Sequence, residues 1–108
     1  MMAAEPRLGT LSVWLEQHTA SAPDVLRDRV REYAGEVVAH PDLATALALA
    51  GDRALASVLA HPGDRSVALD LLAADALVTL ALLAQAEVAP EGLEDFAARL
   101  LRMHLPPR

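Results

Sequence analysis

The segment from Ser66 to Glu87 limits the fold more than any other, because its apolar residues fall on two sides of one helix. At about 100° per residue, Leu69, Leu72, Ala73, Ala76, Leu77, Leu80 and Leu83 form one stripe, and Val67, Leu71, Ala74, Val78 and Leu82 form a second. One globular core needs only one such face. A helix with two is either enclosed by its own chain or shared with a partner. A chain of 108 residues has room for one domain, so a central helix of this kind must be wrapped by nearly everything else.

Composition sets the class. Ala (23 residues) and Leu (20) dominate, aromatics are limited to Trp14, Tyr33 and Phe96, and β-branched residues are few, so intrinsic propensity favours helix throughout. The expected fold is all-α: a compact bundle of four to five helices around a central hydrophobic helix at about 64–87, in a single domain with flexible ends at 1–7 and 104–108.

Prolines at 23, 41, 62 and 90 separate the helical patterns. A first helix is expected over about 8–19, with Leu8, Leu11, Trp14, Leu15 and His18 on one side. A second, about 23–39, carries the seam Leu26, Val30, Tyr33, Val37 and the i,i+3 pairs Asp24–Arg27, Asp28–Arg31 and Arg29–Glu32. A third, about 42–60, presents Leu43, Leu47, Ala50, Gly51, Ala54 and Val58 as a face of mainly small residues. Gly in mid-helix costs about 1 kcal/mol relative to Ala, so Gly51 marks either a close helix contact, the favoured expectation, or a bend. Leu55 and Leu59 lie off that face and form a second, weaker patch. The fourth helix is expected from an N-cap at Asp64. The fifth runs from Pro90, with Leu93, Phe96, Ala97, Leu100 and Leu101 as its buried face. The AHP corner at 39–41 recurs at 60–62, which reads as shared corner chemistry rather than a repeat.

Charge and motif content exclude several functions. A net charge of −6 without clustered cations argues against nucleic acid as a partner, and the third helix offers one Arg, Arg53, with which to read bases. All nine basic residues are Arg and the chain has no Lys, Ile or Asn, a coding bias more than a phosphate-binding signal. Absence of Cys removes disulfides and thiolate chemistry. With no signal-like apolar stretch in Met1–Gly9, the expected location is cytoplasmic. The longest uninterrupted apolar run, Ala76–Ala84, is about half of the roughly 20 residues of a membrane span, so no membrane partner is expected.

Chemistry-bearing residues are sparse. Glu36, His40 and Asp75 are the candidates for a small all-α hydrolase if they converge in one cleft. Glu36 with Leu72-Ala73-Ala74-Asp75 loosely resembles the all-α nucleotide pyrophosphohydrolases of the MazG type. That resemblance would imply magnesium held by an ExxE pair and an ExxD pair. Here Glu32 and Glu36 are four apart and Leu72 stands three before Asp75, so neither pair is complete. Asp70 and Asp75 are the charged residues inside the fourth helix, and each is expected to reach water or to pair with an Arg such as Arg53 or Arg99. No HExxH, GxSxG or Gly-rich phosphate loop occurs, and no cofactor or metal is implied.

The expected function is therefore a protein-interaction or assembly module that self-associates as a homodimer through Val67, Leu71, Ala74, Val78 and Leu82, together with Leu55 and Leu59. Leaving Leu71, Val78 and Leu82 in water would forfeit on the order of 5 kcal/mol, comparable to a domain's net stability. The alternative is a binding module for an apolar small molecule, with Trp14, Tyr33 or a His as its polar-tipped lining.

Overall fold

A computed structural model describes residues 8–37 and 42–104, and every regular element among them is helical. The order is α1 (Leu8–His18), α2 (Asp24–Gly35), α3 (Leu43–Ala60), α4 (Val67–Val88) and α5 (Leu93–His104), with a 3-10 turn over Pro90–Gly92 leading into α5. The expected all-α bundle with α4 at its centre is the observed architecture: α4 packs on α2, α3 and α5, most extensively on α3. The expected flexible ends at 1–7 and 104–108, like His40, lie outside the described residues. The exception is the backbone of His104, which is helical.

Local chemistry explains the helix ends. Asp42 caps α3 by accepting from the Thr45 amide at 3.1 Å and from its hydroxyl. Thr19 closes α1 with its hydroxyl and its amide both on the Leu15 carbonyl. Asp64 does not cap α4, which starts at Val67. Its carboxylate takes the Ser66 amide at 3.1 Å, shaping the turn that precedes the helix. That amide, followed by the Ser66 hydroxyl, holds the Asp64 carboxyl below the usual carboxylate range. The same turn contains Gly63 at φ 85°, a left-handed conformation that a Cβ would strain.

The α3–α4 hairpin is the body of the fold. Its helices run antiparallel across the 61–66 connection and meet at Gly51, where an added Cβ would lie 3.2 Å from Val78 Cγ2 and 3.4 Å from Leu77 Cβ. Ala44, Ala46, Leu47, Ala48, Ala50 and Ala54 of α3 are buried against the core, so small residues let the two backbones approach. On α4 the buried residues are Asp70, Ala73, Ala74, Leu77, Leu80, Ala81 and Ala84, one face with steps of three and four. This corrects the two-stripe division. The buried face runs between the two stripes, taking Ala73, Leu77 and Leu80 from one and Ala74 from the other, while Leu71, Leu72 and Leu83 remain exposed.

α2 attaches through Val30 and the following Val37 of the seam read from the sequence, with Ala34 buried beside them and Leu26 and Tyr33 half-buried against the core, and its three intrahelical ion pairs form. Its polar anchor is less predictable. Asp70, 5% exposed, accepts from Arg29 Nη1 at 2.8 Å and from the Tyr33 hydroxyl at 3.0 Å, rather than pairing with Arg53 or Arg99. In α5, Phe96 and Leu100 are buried, but Leu101 faces out.

Two predictions follow from this packing. Arg29→Met should lower stability by about 2 kcal/mol, since it leaves a buried carboxylate with one donor, and Arg29→Met/Asp70→Leu should recover most of that loss; urea unfolding measures both. Gly51→Leu should cost about 1–3 kcal/mol in the same assay, because the helices must separate to admit the side chain.

Candidate interaction surface

Beside their contact at Gly51, α3 and α4 leave an open groove of about 320 Å³, lined by Gly51, Leu55, Leu71, Ala74, Asp75 and Val78. Gly51 and Ala74 make its floor because neither fills the space above it. Leu55 of α3 and Leu71 of α4 form its walls, and Leu71 is 51% exposed. Of the surface expected from sequence, Leu55, Leu71, Ala74 and Val78 thus come together in one feature. Leu59, on α3 one turn beyond Leu55, is 73% exposed and extends the apolar surface away from the groove. Val67 is half-buried and is not among the groove residues, and Leu82 packs against the core cluster.

Asp75 is exposed on the outer side of α4 and has no hydrogen bond or ion pair among the described residues. It borders the groove and also a second recess of about 280 Å³, where the α1–α2 corner contributes His18, Thr19, Ser21 and Ala22 opposite Ala76, Thr79 and Leu80.

Of the residues weighed for hydrolysis, His40 lies outside the described residues, and Glu36 and Asp75 stand in different places. Glu36 pairs with Arg53 at 3.2 Å, and Arg53 stands two residues from Gly51, roughly 200° around α3, on the side away from the groove. Asp75 stands on α4 at the border of the groove. Among the described residues no group of three or more His, Asp or Glu could hold a metal ion.

The polar tips suggested as a ligand lining are engaged elsewhere. The Tyr33 hydroxyl is on Asp70. The Trp14 indole N–H donates to Glu87 Oε1 at 3.0 Å. His18 stacks on Trp14 with ring centroids 3.9 Å apart, its Nε2 is 3.2 Å from Glu87 Oε2, and its Nδ1 is 2.9 Å from the Trp14 carbonyl. With both ring nitrogens engaged, His18 is not placed to act as a general base. The Trp14 bond, and after it the His18 bond, hold the Glu87 carboxyl below its usual range. Sequence reasoning missed this cluster: Glu87 lies 73 residues from Trp14, and no local pattern connects them.

Both α3 and α4 are long and apolar enough to cross a bilayer by length and composition. Counting uninterrupted residues understated this, because a span tolerates an occasional charge. In this fold the two helices bury small-residue faces against each other.

Asp75→Ala should change unfolding stability by no more than about 0.5 kcal/mol, measured in urea, because an exposed carboxylate without a partner contributes little and Ala is the better helix former. Comparison with family models, with curated proteins and with solved structures finds no match to this chain.

Proposed function

We propose that this protein is a small cytoplasmic assembly module that pairs with a second copy of itself through the α3–α4 groove and the leucines beside it. The observation that carries the reading is the groove itself, an apolar depression next to the exposed side chains of Leu71 and Leu59. A depression and protruding leucines on one surface suit a two-fold contact, in which each copy offers the leucines that the other receives. The polar residues of α2 and its intrahelical ion pairs form a solvated face that would remain outside such a contact. Absence of cysteine is consistent with a reducing compartment.

A half-exposed leucine gains about 1 kcal/mol on burial, and two-fold symmetry counts each one twice. Light scattering should therefore give twice the 11.5 kDa chain mass for the native protein. Leu71→Glu should weaken pairing by roughly 30-fold or more while leaving the helical circular dichroism unchanged. Leu71 and Leu59 are the proper test sites because both are exposed; Leu82→Glu would damage the core instead. A native chain that remains monomeric at high micromolar concentration overturns the reading.

The same groove supports a second reading as a site for an apolar small molecule, since its volume is at the lower end for such sites. A monomer that binds an apolar fluorescent probe, with binding lost in Leu71→Glu, would select it. Association with neutral lipid vesicles, through the two long apolar helices, would contradict both the cytoplasmic assignment and the self-pairing.

A further inference from the structure

His18 is held in a way that depends on its charge. Its Nδ1 faces the Trp14 carbonyl at 2.9 Å and its Nε2 faces the Glu87 carboxylate at 3.2 Å. Both partners only accept hydrogen bonds. An imidazolium donates from both nitrogens and satisfies both contacts, whereas either neutral tautomer donates from one and leaves two lone pairs opposed at the other. The charged groups around the ring are Glu87 and Asp75 of α4 and, on its own helix, Glu16, which is directed to Arg31 of α2 at 3.9 Å, a cation also engaged by Asp28.

The helix that carries His18 has little else to hold it. α1 has the sparsest tertiary contacts of the five helices, and its 11 residues are too few to persist alone. Leu11 and Leu15 attach it to the core, and Trp14 and His18 attach it to the end of α4.

We propose that Trp14, His18 and Glu87 form a proton-dependent latch, which holds α1 on the bundle when the imidazole is protonated and loosens it when the imidazole is neutral. Loosening exposes Leu11 and Leu15, so the accessible apolar surface of the protein changes with pH. The Trp14 N–H and then His18 hold the Glu87 carboxyl below the usual range, so its contribution is present above the ordinary Glu range, about pH 4, and is lost as pH falls below it. The imidazole's contribution has the opposite sign: it is made with a proton on both ring nitrogens and is lost with the second proton.

Amide hydrogen exchange on the full chain tests this, with rates corrected for intrinsic pH dependence. Protection of α1 should fall about two- to five-fold between roughly pH 5.5 and 8, the range expected for a partly exposed ion pair, while α3 is unchanged. Trp14, the only tryptophan, gives a second signal: a stacked imidazolium quenches its fluorescence, so emission should rise over the same interval. His18→Gln removes the titrating group and should flatten both curves, which also separates His18 from His40, His61 and His104. Glu87→Gln should flatten the exchange curve while keeping an acceptor for the indole. α1 protection that does not vary with pH in the native chain, or that varies equally in His18→Gln, overturns the proposal.

Discussion

The closeness of α3 and α4 at Gly51 is the constraint on which the rest of the structure depends. With Val78 and Leu77 within van der Waals reach of where a Cβ would stand, the two longest helices meet over small side chains. That contact buries Leu47 and Leu77 completely and makes the hairpin the platform for the other helices. It also determines what the hairpin cannot cover. A face built from Gly and Ala brings backbones together but leaves the larger residues on its flanks, Leu55, Leu71 and Val78, standing around a groove. The core and the candidate surface have the same cause.

Polar groups then decide how the outer helices sit. Asp70 is a buried carboxylate on the most apolar helix, and a charge there is tolerated because Arg29 and Tyr33 both donate to it. Since both donors come from α2, the pair fixes the rotation and register of that helix more than it adds stability. Glu87 has the corresponding part at the other end of α4, where it receives Trp14 and His18 from α1. Each of the first two helices is thus attached by apolar side chains and oriented by one α4 carboxylate. The α2 attachment centres on a buried carboxylate and the α1 attachment on an exposed one.

Much of this was legible in the sequence, and the misses share a physical cause. Helix number, the i,i+3 ion pairs of α2 and the close contact at Gly51 depend on local spacing and appear as expected, while the seam of α2 and the face of α3 do so in part, Ala34 joining the first and Ala44, Ala46 and Ala48 the second. The buried face of α4 was misplaced because a helix apolar all round gives no phase: alanines sit in the core while Leu71, Leu72 and Leu83 face out, opposite to what side-chain size suggests. The partners of Asp70 and Glu87 lie 37 to 73 residues away, and only tertiary packing selects Arg29 over Arg53 or joins Trp14 to Glu87. The groove was half visible. Leu55, Leu71, Ala74 and Val78 were identified, but their convergence around Gly51 needed the helix crossing. The pairing of Glu36 with Arg53, and the place of Asp75 at the border of the groove, likewise required the fold.

The central claim is that the groove beside Gly51 receives a second copy of the chain. Isotope-edited NOE spectra on an equimolar mixture of methyl-labelled and unlabelled protein address it directly. The account predicts intermolecular contacts at the Leu71, Leu55 and Val78 methyls and none at Val25, which is exposed on α2. Absence of intermolecular contacts at the groove, or contacts confined to other faces, would contradict it.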